Sequence, residues 1–144
     1  MSQERLSAEF LVNECDVVLE LCAFLIPQPQ QERLQKLSQE LLMAINANNL
    51  SLMESKSEDA RRELDNLPDE VILIQASLSA IRQANRVAPT QANAMSDKLF
   101  RMLGALESSD AREADRLWSE LQPEVKRWLN QELPSNTIVT GLKR

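Results

Sequence analysis

Apolar positions along this chain recur at spacings of three and four as far as about residue 128, the period of one buried face on a succession of α-helices. The first helix is predicted over about residues 5–25, with Leu11, Cys15, Val18, Cys22 and Leu25 as one stripe and Phe10, Val17, Leu21 and Phe24 widening it. That is a broad apolar surface for a helix in a small domain. The segment Ile26-Pro27-Gln28-Pro29-Gln30 ends it, because each proline lacks a backbone donor and disfavours helical geometry in the residue before it. A second helix over about 30–47 carries Leu34, Leu37, Leu41, Ala44 and Ile45, and Asn46-Ala47-Asn48-Asn49 breaks it. Asn49 is suited to cap the helix that follows, and Ser51 with Glu54 offers a capping box two residues later. The third helix reaches about residue 65, with Leu50, Met53, Ala60 and Leu64 inward and Ser57 on the same buried line. Its outer face sets Glu58 four residues before Arg62 and Arg61 four before Asp65, two pairs of opposite charge.

Pro68, Asp69 and Glu70 read as a first helical turn, with proline at the first position and acids near the positive end of the helix dipole. The fourth helix then runs to about residue 87 on Val71, Ile74, Leu78 and Ile81, and Ala88-Pro89-Thr90 is the turn. The fifth carries Ala92, Met95, Leu99, Met102 and Leu106, and Glu107-Ser108-Ser109-Asp110 breaks it, with Asp110 and Glu113 as an acidic capping box. The sixth carries Ala114, Trp118, Leu121, Val125 and Trp128, and Pro123 is expected to kink or restart it. Residues 135–144 have no helical period and read as a mobile tail, in which Thr137-Ile138-Val139-Thr140 could pair with the edge of a partner's sheet.

Helix, proline turn, helix, polar break, capped helix: that order occurs twice. A shift of about 61 residues places Ala44-Ile45 on Ala105-Leu106 and Asn49 on Asp110, and brings the Pro27–Pro29 turn beside that of Pro89. The expected architecture is therefore two packed three-helix units, residues 1–67 and 68–134, followed by the flexible tail 135–144. A continuous six-helix bundle with one core is the alternative.

Composition agrees with an all-α fold. Two glycines, no tyrosine and 3% aromatic residues leave little with which to build and turn sheets. Leu, Ala, Glu, Gln and Arg, all strong helix formers, predominate instead. The net charge of −6 and the absence of a Lys/Arg run argue against nucleic acid or an anionic membrane as partner. The arginines at 82 and 86 are placed to complement a helix C-terminus. The longest apolar stretch, residues 17–26 with Glu20 inside it, falls well short of the roughly 20 residues that span a bilayer. With no leader pattern in the first residues, the chain reads as cytoplasmic.

The candidate chemistry is thin. Histidine is absent, which removes most catalytic triads, His-ligated metals and the commonest general base. Two glycines cannot build a phosphate loop, and pairs such as Glu58-Asp59 and Asp69-Glu70 fall on outer faces or first turns where carboxylates are solvated. Cys15 and Cys22 stand about two turns apart on one helix face, roughly 10 Å along the axis, too far to bond to each other, and read as buried thiols. No catalytic residue, cofactor or metal is expected. What the chain does offer is apolar surface: Phe10, Val17, Leu21 and Phe24 on the first helix, together with Trp128, form the expected surface for a protein partner, a neighbouring domain of a longer chain or a second copy. Trp118 is expected in the core.

Asn13-Glu14-Cys15-Asp16 ahead of an apolar helix, then Leu37-Ser38-Gln39-Glu40-Leu41-Leu42, the turn Ala44-Ile45-Asn46-Ala47-Asn48-Asn49-Leu50, and Glu58-Asp59-Ala60-Arg61-Arg62-Glu63-Leu64 follow one another over residues 11–67. This stretch resembles the C-terminal helical lid of Hsp70-type chaperones: the long lid helix, the next helix with its short polar connection, and the final charged helix. The nucleotide-binding domain and peptide-gripping β-sandwich of that family have no counterpart, and neither does the acidic tail motif. The resemblance thus implies a non-catalytic helical region of an Hsp70-like chaperone that acts through protein–protein contacts. The alternative is an unrelated helical adaptor or regulatory module that homodimerises through the apolar first helix.

Overall fold

The computed structural model describes residues 2–130, and the regular structure among them is helical throughout. Helix α1 is Gln3–Cys22, continued by a 3-10 turn at Ala23–Leu25; α2 is Gln28–Asn46, α3 Leu50–Asp65, α4 Asp69–Val87, α5 Pro89–Glu107 and α6 Ala111–Leu129. The chain divides between Leu67 and Pro68 into two compact units. In the first, α1, α2 and α3 each pack on the other two, and in the second α4, α5 and α6 do the same. The all-α fold expected from period and composition is present. The expected tail, residues 135–144, lies outside the described residues.

Helix boundaries follow the local chemistry closely. The Ser2 hydroxyl accepts from the Arg5 amide at 3.1 Å and so caps α1. Pro27 is the N-cap of α2 and Pro29 lies in its first turn, so the prolines open the second helix as well as closing the first. Gln31 Nε2 donates to the carbonyls of Ala23 (2.9 Å) and Ile26 (2.8 Å), satisfying acceptors that the end of the first helix leaves open. Pro68 is the N-cap of α4 rather than its first residue, and Pro89 is the first residue of α5, which leaves Ala88 as the whole connection. Helix α6 is continuous through Pro123, so the expected restart does not occur.

Several expected core positions move. Leu50 is exposed, because the Asn49 cap places it at the very start of α3 and the buried line begins at Met53. Leu25, Leu37, Leu78 and Ile81 are only half-buried. In α4 the buried line extends past Val71 and Ile74 through Leu73, Ser77, Ala80 and Ala84. The expected charge pairs on α3 also re-form. Arg62 bonds Asp59 at 2.6 Å rather than Glu58, and Arg61 donates to the Ser7 hydroxyl of α1. Pairs between helices join them: Arg33 with Glu63 at 2.8 Å and Lys56 with Glu40 at 2.9 Å tie α2 to α3. Partly exposed pairs of this kind are worth at most about 1 kcal/mol each, so they fix side-chain geometry more than stability.

The two units are built to one plan. Asn49 and Asp110, the caps of α3 and α6, stand 61 residues apart. The same shift carries the buried Met53, Ser57, Ala60 and Leu64 onto Ala114, Trp118, Leu121 and Val125, all buried. It likewise carries Leu34, Ser38, Leu41, Ala44 and Ile45 onto Met95, Leu99, Met102, Ala105 and Leu106. For the first helix of each unit the shift is 62, from Ala8 to Glu70, and it places Leu11, Cys15, Val18 and Cys22 on Leu73, Ser77, Ala80 and Ala84. The longer α1–α2 connection of the first unit absorbs the odd residue.

The turn before the third helix of each unit repeats bond for bond. Asn48 and Ser109 both adopt positive φ, 52° and 58°. Their amides donate to Ile45 (3.0 Å) and Leu106 (3.1 Å), and the next amides, of Asn49 and Asp110, reach back to Ala44 (3.0 Å) and Ala105 (2.8 Å). This double bond pattern closes a helix through a left-handed residue. The side chains of Asn49 and Asp110 then cap the following helix, accepting at 3.1 Å from Leu52 and Glu113. Asparagine tolerates the left-handed conformation, whereas serine is strained there. Ser109→Gly is therefore expected to raise the stability of the second unit by about 1 kcal/mol, and Asn48→Gly that of the first by less. Denaturant midpoints of the two variants test the order.

Candidate functional site

Helix α1 has two apolar faces. At about 100° per residue, Ala8, Leu11, Cys15, Val18 and Cys22 form the buried line that meets α2 and α3. Leu21 flanks that line next to Val18, while Phe10 and Val17 turn further from it with Leu6 beside them, and Phe24 follows in the 3-10 turn; these are residues that the sequence offered both as a widening of the buried stripe and as a surface for a partner. Leu6 is 49% exposed, Phe10 52% and Phe24 43%, while Val17 and Leu21 are half-buried. Spacings of four, three and four link Leu6, Phe10, Asn13 and Val17, which is the spacing of a helix–helix seam with a polar residue at one position. Leu6 escaped the sequence reading although the same spacing, carried one step toward the N-terminus, points to it.

Trp128 belongs to the second unit, near the end of α6, and is half-buried. With the Gln91 amide oriented oxygen-first, its oxygen accepts from Trp128 Nε1 at 3.3 Å, so the indole is engaged with α5. Trp118 is fully buried, as expected for a core anchor.

A second group of exposed apolar side chains flanks the α2–α3 turn: Leu42, Met43, Leu50 and Leu52, with Met43 69% exposed. Their counterparts at the matching turn of the second unit are Leu103, Gly104, Ala111 and Glu113. The same turn thus forms without three of these large apolar groups, and a comparison of the two halves of the sequence is the signal that would have found them.

Cys15 and Cys22 are buried free thiols. Burial pushes both up to about 12, and for Cys15 the neighbouring Asp16 and Glu14 charges add to the effect. Thiolate is the reactive form, so both cysteines are expected to resist iodoacetamide at pH 8 in the folded protein and to react together once denaturant opens it. Because a thiol whose pKa is raised by folding stays protonated longer in the native state, its stabilising contribution is present below the unfolded thiol pKa and is lost as pH rises toward 12. Mass spectrometry after timed labelling checks the first expectation, and denaturant melts above pH 9 the second.

Among the described residues no group of three or more His, Cys, Asp or Glu side chains is placed to hold a metal ion, and no helix is long and apolar enough to cross a membrane. Buried polar groups instead serve the fold: Ser38 donates to Asp16 at 2.8 Å, joining α2 to α1, and Ser77 donates to the Leu73 carbonyl at 2.8 Å. Comparison with known protein families, curated proteins and solved structures yields no match to this chain.

Proposed function

We propose that this protein is a helical interaction module that binds another protein through the outward face of α1. The observation that carries the reading is the second apolar stripe of that helix. The inward residues already supply the contact with α2 and α3, so Leu6 and Phe24 add apolar surface that the first unit does not use. Surface of this kind on a regular helix suits docking against a further helix or groove.

Two forms of the proposal differ in what covers the stripe. In the chaperone form, residues 11–67 are the lid-like part of an Hsp70-like protein and the stripe bears on a neighbouring domain. Its support is the sequence resemblance, which ends where the first unit ends. In the adaptor form, the stripe pairs with that of a second copy. The seam-like spacing from Leu6 to Val17, with Asn13 exposed within it, favours this form.

Light scattering on the whole chain at tens of micromolar separates them. The adaptor form expects a dimer that Leu6→Ser with Phe24→Ser converts to a monomer of unchanged helicity. The chaperone form expects a monomer that a lidless Hsp70 captures, with capture lost in the same double variant. A monomer that makes neither contact would sink the proposal.

A further inference from the structure

Two ion pairs mark a groove between α2 and α3. Arg33 meets Glu63, and seven residues on in α2 and seven back in α3, Glu40 meets Lys56. The residues that reach α1 are Ser38, which donates to Asp16, and Arg61, which donates to Ser7. Glu40 and Glu63 stand two positions after them, about 200° round their helices. The groove therefore opens on the side of the first unit opposite α1. Hollows of about 200 Å³ and 330 Å³ lie along it, and the half-buried Leu37 is in the wall of both. One turn beyond Glu40 and Lys56 it ends between Met43 and Leu52, 69% and 38% exposed.

The second unit covers the equivalent groove with charge. Under the shift of 61, Leu37, Met43 and Leu52 become Lys98, Gly104 and Glu113. Lys98 lies 4.0 Å from Glu120 and 3.9 Å from Glu124, and Arg101 lies 3.9 Å from Glu113. The outer stripe is also particular to the first unit, since Leu6 and Val17 correspond to Pro68 and Ser79 at the shift of 62. The unit that has the apolar stripe is thus the one that has the apolar groove.

We propose that this groove receives α1 of a second copy of the chain. The contact rests on the adaptor form, in which α1 meets another copy, and puts the groove in place of the opposing stripe. The two surfaces match in register when the incoming α1 runs antiparallel to α2. Phe10 then falls at Met43 and Leu52, Asn13 over the Glu40–Lys56 pair, Val17 on Leu37, and Glu20 beside Lys36. Phe10 to Val17 is a step of seven and Met43 to Leu37 a step of six, so the two apolar contacts coincide to within about 1.5 Å. Asn13, the polar residue of the stripe, lies on the ion pair. Glu20 and Lys36, exposed and outside every ion pair of the described residues, complement each other in charge. Because stripe and groove lie on opposite sides of one unit, a pair of copies keeps one of each unused and adds further copies head to tail. Few side chains take part, short of the roughly 800 Å² per partner of a stable interface, so assembly builds with concentration.

Sedimentation velocity of the full chain, from micromolar to submillimolar concentration, tests it with two variants. Leu37→Lys with Leu52→Glu gives the groove the residues that the second unit carries at the same places in the same fold. Phe10→Ser with Val17→Ser disrupts the stripe. The unaltered chain should pass from monomer to dimer and then to larger species, and each variant alone should stay monomeric with unchanged helicity. An equimolar mixture of the two should form a one-to-one pair and nothing larger, because one variant keeps its stripe and the other its groove. Recovery of that pair also shows that both variants are folded. Lys36→Glu should weaken assembly severalfold, and Glu20→Lys in the same chain should restore it. A groove variant that still dimerises while the stripe variant is monomeric would overturn the groove contact and leave stripe against stripe standing. A mixture that stays monomeric would overturn it as well. An unaltered chain that is monomeric throughout removes both contacts between copies, and capture by a lidless Hsp70 then decides whether the α1 face binds a protein at all.

Discussion

Trp118→Ala is expected to destabilise the second unit by about 3–5 kcal/mol, the range for truncating a fully buried large aromatic side chain. Trp118 is 1% exposed and lies in α6 beside the buried Leu117, Leu121 and Ala114. No small rearrangement fills so large a vacancy, because α6 is held against both α4 and α5. A unit of this size has little stability to spare, so the variant should have lost most of its helical order in α4–α6 well before the first unit melts. The remaining tryptophan reports this directly: both tryptophans of the chain lie in α6, so fluorescence follows the second unit while far-ultraviolet circular dichroism follows all six helices. Trp118→Phe separates packing from polarity. The indole Nε1 is buried without a hydrogen-bond partner among the described residues, and its removal returns roughly 1–3 kcal/mol against the smaller loss of ring area. A phenylalanine variant as damaged as the alanine variant would show that the full volume of the indole, and not an aromatic ring alone, holds α6 in place.

Leu41→Ala is expected to cost the first unit about 2–5 kcal/mol, while Leu42→Ala changes it by less than about 0.5 kcal/mol. The two leucines are neighbours in α2 and identical in composition, but a step of one residue turns the side chain by about 100°. Leu41 is completely buried, and Leu42 is 49% exposed. Urea melts followed by circular dichroism measure both. Equal effects would mean that the inward direction of α2 has been misassigned. A large effect of Leu42→Ala on binding or association, with stability unchanged, would instead make the α2–α3 turn part of the contact surface.

These expectations also separate what could be read from the chain itself from what could not. The first and last turns of the helices were readable because capping is local: Asn49 and Asp110 satisfy amides three residues ahead, and the prolines at 27, 68 and 89 exclude an internal helical position at those points. The inward face of α5 was readable because its apolar residues occupy one side only, so Ala92, Met95, Leu99, Met102 and Leu106 were all placed correctly. The charge pairs on α3 were not. Several partners lie within reach of Arg61 and Arg62, and α1 supplied one, Ser7, that has no sequence proximity at all.

The sequence by itself determined that the chain is helical and placed the breaks between its helices to within a few residues. Those properties depend on propensity, period and caps, which act over one or two turns. The stripe Leu11, Cys15, Val18 and Cys22 was readable too, and only the tertiary structure decided how far the flanking Phe10, Val17 and Leu21 are covered, since that depends on how closely α2 and α3 approach. It also decided that Ser57 is buried with no hydrogen-bond partner among the described residues while Trp118 fills the equivalent position. Burial and satisfaction are properties of the surroundings, which in each unit come from two other helices distant in sequence.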